Sequence, residues 1–264
     1  MNNRNQLQVA APPAGRNELV DLLLFVVKLA FAVALFRAFV FAPYSIPSES
    51  MMPRLLVGDY VIVAKWPYGW SRHSLPLSAP LIPGRFLARL PERGDVIVLK
   101  EPPDARVDVI KRVIGLPGDR VQLRGGQVFL NGSPLSHRHQ PDLVLPTVGA
   151  CLPGTLQAGT TCRYARLSET LPSGRRYDLL ALGKSPSDDT RDYIVPPGQL
   201  FVLGDNRGDS MDSRLEAGGF GFVPLDNVVG RAQFVAFSTD GTATWWKPWT
   251  WIPAIRWSRI GGGF

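Results

Sequence analysis

Two serines separated by a single residue, Ser48 and Ser50, sit between Pro47 and Pro53 in the segment Tyr44-Ser-Ile-Pro-Ser-Glu-Ser-Met-Met-Pro-Arg-Leu-Leu-Val-Gly-Asp59. Proline fixes φ, so a hydroxyl held between two prolines loses little freedom when it is aimed at a substrate carbonyl. The chemistry within reach is nucleophilic acyl transfer; a serine-rich linker accounts for the same residues without chemistry. The flanking Met51, Met52, Leu55 and Leu56 are expected to be exposed or to face a membrane. A nucleophilic serine needs a base. The three histidines, His73, His137 and His139, lie in polar stretches that read as loops, and there is no Gly-x-Ser-x-Gly turn. The remaining option is a lysine kept neutral by burial. In Val109-Ile-Lys-Arg-Val-Ile114, a strand period of two places Val109 and Val113 beside Lys111, and Ile110 and Ile114 beside Arg112. Periodicity does not choose between the two cations. Chemistry does, because a guanidinium does not deprotonate in proteins and a desolvated ammonium can. A lysine that snorkels to the sheet edge is the plain alternative. A third polar cluster, Gly204-Asp-Asn-Arg-Gly-Asp-Ser-Met-Asp-Ser-Arg214, follows the apolar run 200–203 and can orient a site; it also reads as a solvated turn, and EF-hand spacing is not met.

These groups need a scaffold. The 264 residues carry a net charge of +7, 26 glycines and 24 prolines, which implies many turns rather than a helical bundle. No dense Lys/Arg block is present, which argues against nucleic-acid binding. Residues 22–42 form an apolar run of the length needed to cross a hydrocarbon core, interrupted by Lys28 and Arg37. Nine helical positions apart, these two point to opposite faces and do not make an interfacial stripe. The run is read as a transmembrane anchor, with a cleaved secretory signal and a surface helix as alternatives. Arg4 and Arg16 favour a cytoplasmic N-terminus. The expected layout is a cytoplasmic tail over 1–18, an anchor over 19–42 and a periplasmic domain over 43–264.

Short β-type runs follow at 59–65, 94–100, 107–114, 121–132, 193–195, 199–203 and 228–237, separated by Gly/Pro turns, so the domain is expected to be mostly β. Residues from about 133 to 192 are polar, weakly periodic and rich in Pro, Ser and Asp, and read as an insertion on the β core. They hold the two cysteines, Cys151 and Cys162, which form a disulfide in an extracytoplasmic compartment or remain two thiols. No CxxC or Cys/His cluster accompanies them, which argues against zinc.

Ile46-Pro-Ser-Glu-Ser-Met-Met-Pro-Arg-Leu55, Arg93-Gly-Asp-Val-Ile-Val98, Val109-Ile-Lys-Arg-Val-Ile-Gly-Leu-Pro-Gly-Asp119 and Gly204-Asp-Asn-Arg-Gly-Asp-Ser-Met-Asp-Ser-Arg214 resemble, in order, the signature boxes of bacterial type I signal peptidases. The resemblance implies an antiparallel β-sheet catalytic domain, similar to that of self-cleaving repressors, on one transmembrane helix in the bacterial inner membrane. It implies a serine endopeptidase that removes signal peptides from exported preproteins after small-x-small motifs, with signal peptides and membrane lipid as partners and no cofactor or metal. Ser50 would be the nucleophile and Lys111 the base, with the Ser50 N–H and the Ser48 hydroxyl as the oxyanion hole. Ser210 would orient Lys111, and Asp212 and Arg214 would brace that loop. Tyr44, Ile46, Pro47, Met51, Leu55 and Ile110 would line shallow substrate pockets. Glu49 stands where the family commonly has glycine. The rival from another class is a membrane-tethered periplasmic β-domain binding protein without catalysis. Five of the seven tryptophans lie in 245–257, a tail that either enters the membrane interface or packs in the core.

Overall fold

The computed structural model describes residues 17–75, 78–102, 105–146, 151, 156–158, 161–183, 185–215, 220–244 and 246–264. Residues 1–16, with Arg4, Arg16 and most of the expected cytoplasmic tail, lie outside the described residues, as does Trp245.

The apolar run forms one helix, Glu18–Phe39, long and apolar enough to cross a membrane. It ends three residues before the apolar run does. Phe41 and Ala42 belong instead to the first strand, Phe41–Ser45, whose backbone pairs antiparallel with Asp59–Ala64. Pairing, not hydropathy, sets that boundary: both segments are apolar, but only the second has a partner strand.

Seven strands form one antiparallel sheet in the order Phe41–Ser45, Asp59–Ala64, Val228–Ser238, Val96–Lys100, Asp108–Gly115, Gln199–Leu203, Val223–Pro224. The strands expected from the sequence are all present, with ends moved by a residue or two. The strand Asp108–Gly115 places Lys111 opposite Ile97 and Arg112 opposite Val96. Its alternating side chains join two apolar clusters: Ile110 packs with Val96, Val98, Val61 and Val63, and Val113 packs with Ile97, Leu99, Val202 and Val228. Each such side chain contributes about 1.5–3 kcal/mol when fully buried. A polar side chain in this strand is therefore surrounded by apolar neighbours.

The hairpin Arg120–Arg124 and Gln127–Leu130 turns at Gly125-Gly126 as expected. The described residues between about 133 and 192 hold more regular structure than their composition suggests. Strands Ser136–Pro146, Leu156–Ala158, Thr161–Thr170 and Arg176–Leu180 make a second antiparallel sheet. Cys151 and Cys162 are disulfide-bonded. Cys162 packs with Tyr164 and Leu180 against Met52 and Leu56 of the serine loop, so this region touches the site directly.

Candidate active site and its family

Ser50 lies in the loop between the first two strands, which closes on itself through Met52 N to Glu49 O (3.0 Å) and Leu55 N to Met51 O (2.9 Å). The apolar residues around it are not exposed, contrary to expectation. Met51, Met52, Leu55 and Leu56 are all buried, because the loop folds back onto the sheet and the second sheet covers its far side. Buried Asp59 fixes the loop's base. It accepts from Leu56 N (2.9 Å) and Ser238 Oγ (2.7 Å), and its carboxylate is clamped by Arg259 from the C-terminal tail.

Lys111 Nζ lies 2.7 Å from Ser50 Oγ. The ammonium form donates in this bond and the neutral amine accepts from the hydroxyl. Lys111 is 4 % exposed, and its amine also lies over the Phe220 ring, 5.7 Å from the centroid. Burial pushes its pKa down to about 8, with Asp212 pulling it up and Arg214 pushing it down. Arg112, one position on, is buried too but solves the same problem differently. Its guanidinium binds Asp205 at 2.7 and 2.6 Å, donates to Gly94 O at 2.7 Å and covers the Tyr177 ring.

The strand Gln199–Leu203 delivers the third cluster. Asn206 N donates to the Ser50 carbonyl (3.0 Å) and Asn206 Nδ2 to the Glu49 carbonyl (3.2 Å). Gly204 packs so closely here that a Cβ on it would come within 2.2 Å of Ser210 Oγ and 2.6 Å of the Ser50 carbonyl oxygen. Asp212 accepts from Gly204 N (3.0 Å) and pairs with Arg214 at 2.8 Å. Burial raises the Asp212 pKa, but Arg214 and the Gly204 N–H outweigh it and hold the carboxyl below its ordinary range. Ser210 Oγ is buried and does not bond the Lys111 amine, so the expected contact is not formed in this conformation. Ser48 is exposed, with its hydroxyl 3.3 Å from Ser50 Oγ.

Of the residues expected to line pockets, Ile46, Met51, Leu55 and Ile110 share one apolar cluster, against which Tyr44 packs, and Pro47 is exposed at its edge. Met51 and Leu55 are fully buried and back this wall from behind. The histidines are not in loops as expected. His73 is buried in a 3-10 turn, bonded to Arg72 and Ser78, while His137 and His139 lie on the strand Ser136–Pro146. His137 bonds Glu169, and neither His73 nor His137 bonds Ser48 or Ser50.

Sequence reasoning missed a second layer. Glu169, from the strand Thr161–Thr170, is fully buried and receives Arg207 (2.6 Å), His137 (2.6 Å) and the Tyr177 hydroxyl. The Arg207 carbonyl in turn accepts from Arg214 at 2.8 Å. Arg207 and Asn206 stand in a recognised box, but their partners Glu169 and Glu49 lie far away in sequence, and no local spacing signals those contacts.

The family model described as signal peptidase, peptidase S26, matches residues 19–237. The chain belongs to this family. A signal peptidase I of Rickettsia typhi is 37 % identical over 258 residues, covering 89 % of each protein, and one of Rickettsia prowazekii matches to the same extent. Rickettsia conorii has one at 35 % identity, covering 89 % of this chain and 88 % of its own. Among solved structures, a signal peptidase I of Enterococcus faecalis is 28 % identical, covering 54 % of this chain and 97 % of its own, with a TM-score of 0.30. The family match spans the helix, the serine loop, the lysine strand and the Gly204–Arg214 cluster, and it ends within the strand Val228–Ser238, before the tryptophan-rich tail.

Proposed function

We propose that this peptidase S26 protein removes signal peptides from exported preproteins, using Ser50 as nucleophile and Lys111 as general base. The observation that carries the reading is the 2.7 Å contact between Ser50 Oγ and the amine of a lysine buried among apolar side chains. Neutral Lys111 takes the hydroxyl proton as Ser50 Oγ attacks the scissile carbonyl. The Ser50 N–H and the Ser48 hydroxyl stabilise the oxyanion. The lysine ammonium then protonates the departing amine, and water, activated by the same amine, releases the acyl-enzyme. Ser210, whose hydroxyl lies beside Gly204, turns to the Lys111 amine when substrate binds and aims it; Asp212 and Arg214 hold that loop.

The substrate adds as an extended strand beside Phe41–Ser45, with small side chains against the wall formed by Tyr44, Ile46, Pro47 and Ile110 and backed by Met51 and Leu55. This arrangement favours small-x-small sequences before the cut bond. The helix Glu18–Phe39 anchors the protein as a single span in the bacterial inner membrane, with the catalytic domain on the periplasmic side, where an oxidising milieu suits the Cys151–Cys162 bond.

The test is incubation of purified protein with a preprotein. Wild type yields mature product, and Ser50→Ala and Lys111→Met each lower the rate by about 10³-fold or more. Wild-type cleavage by both variants would refute the dyad.

A further inference from the structure

Where the helix Glu18–Phe39 meets the sheet, Arg37, Tyr44, Lys65, Lys100, Arg106 and Asp108 border a cavity of about 780 Å³; Tyr44 also walls the proposed substrate cleft, but the charged groups take no part in the catalytic reading. Its charge is unbalanced. Among the described residues that border it, Arg37, Lys65, Lys100 and Arg106 face one carboxylate, Asp108, which is already bound to Lys100 at 3.1 Å. Lys65 is 5 % exposed, and its ammonium donates to the Ser74 carbonyl with no carboxylate in ion-pair range among the described residues. Burial pushes its pKa down to about 8, and Arg37 and Lys100 push the same way against Asp108. A buried ammonium beside two like charges is costly unless an anion joins it.

The position of the cavity says where that anion comes from. Arg37 is in the last turn of the apolar helix, so the cavity opens at the depth where that helix leaves hydrocarbon. Aromatic rings collect at the same level. Trp70 lies 6.4 Å from Phe39 and donates to its carbonyl at 3.0 Å, Phe41 packs edge-on to Trp66 at 4.7 Å, and Trp66 and Phe86 are exposed. Tryptophan at a helix end marks the headgroup layer. Phosphodiester oxygens lie in that layer, and acyl chains would run along the exposed Leu and Phe side chains of the helix.

We propose that this cavity binds the phosphate of an anionic phospholipid headgroup, with Lys65 and Arg37 as its charged ligands. The inference rests on reading Glu18–Phe39 as a membrane span, not on the catalytic dyad. A headgroup held there ties the helix to the strand Phe41–Ser45 and fixes the angle at which the substrate cleft meets the membrane.

The test uses the full chain in neutral detergent micelles and reads thermal unfolding. Phosphatidylglycerol is expected to raise Tm by about 3 °C or more, while phosphatidylcholine and inorganic phosphate at the same concentration do not. Lys65→Met and the exposed Arg37→Gln should each reduce that rise, and the double variant should abolish it. Preprotein cleavage in phosphatidylcholine micelles, measured in parallel, reads the catalytic assignment separately. A double variant that cleaves normally and has lost the rise supports the site. An undiminished rise in Arg37→Gln and the double variant overturns it, as does a wild type that responds to inorganic phosphate as strongly as to lipid, or to neither.

Discussion

The Asn206 backbone N–H donates to the Ser50 carbonyl at 3.0 Å, so the segment that follows the strand Gln199–Leu203 holds the serine loop by its main chain. Nothing larger than glycine fits at position 204 while that contact is kept. A methyl group there would meet both Ser210 Oγ and the Ser50 carbonyl oxygen well inside van der Waals contact.

Gly204→Ala is therefore expected to displace Ser50 relative to Lys111. The expected loss in kcat is about 10²-fold, accompanied by about 1–3 kcal/mol of stability from overpacking. Steady-state kinetics at a temperature where the variant remains folded checks this. An unchanged kcat would show that the strand end does not position the nucleophile.

The pH dependence follows from Lys111, whose pKa is pushed down to about 8. With Lys111 as the proposed base, the neutral amine is the active form, so kcat/KM should fall as pH drops below about 8, by about tenfold per unit. Asp212 pulls that pKa up, and Asp212→Asn should therefore move the acid limb of the residual activity to lower pH. A pH–rate profile gives both results; a flat wild-type profile between pH 6 and 8 would exclude Lys111 as the base.

Glu169 is the keystone of the contact between the second sheet and the Gly204–Arg214 cluster. Burial pushes its carboxyl up, but Arg207, His137 and Tyr177 outweigh this and hold it at about 2, below its ordinary value of 4.5. A folded pKa lower than the unfolded one gives stability that is present above about pH 4.5 and lost as pH falls toward 2. Glu169→Gln strands the Arg207 charge in the interior and should cost about 3–5 kcal/mol at pH 7, with a gap to wild type that narrows in acid. Urea unfolding at several pH values measures it, and a loss below about 1 kcal/mol at pH 7 would remove Glu169 from this role.

Trp246, Trp249, Trp251 and Trp257 are exposed, which disagrees with packing of the tail in the core. Exposed indoles of this density suit a lipid headgroup layer. Quenching of tryptophan fluorescence by brominated lipid in the full chain should fall when Trp246, Trp249 and Trp251 are replaced by phenylalanine. Unchanged quenching would place the tail in water.

The sequence shows some of these features and hides others for physical reasons. Strands such as Val96–Lys100 and Val228–Ser238 are legible because apolar residues dominate them and glycine or proline stands within a few residues of each end. Lys111 and Arg112 are visible as two cations among valines and isoleucines. That one meets a serine and the other a bidentate carboxylate depends on residues 61 and 93 positions away. The strands Ser136–Pro146 and Thr161–Thr170 escape detection because charged and polar residues fill them. Their order comes from partners: the ion pair of Glu169 with Arg207, and the packing of Cys162 and Tyr164 on Met52 and Leu56. The end of the helix is hidden for the opposite reason, since Phe41 and Ala42 are as apolar as the turns before them.

The strand Phe41–Ser45 pairs with Asp59–Ala64 on one flank and lies at the margin of its sheet. Such a margin invites any extended chain, including a second copy of itself. Pro43 stands at its centre and offers no amide hydrogen, and the strand is only five residues long. Two copies brought edge to edge would lack a donor at the middle of the ladder. The margin is thus guarded against self-association.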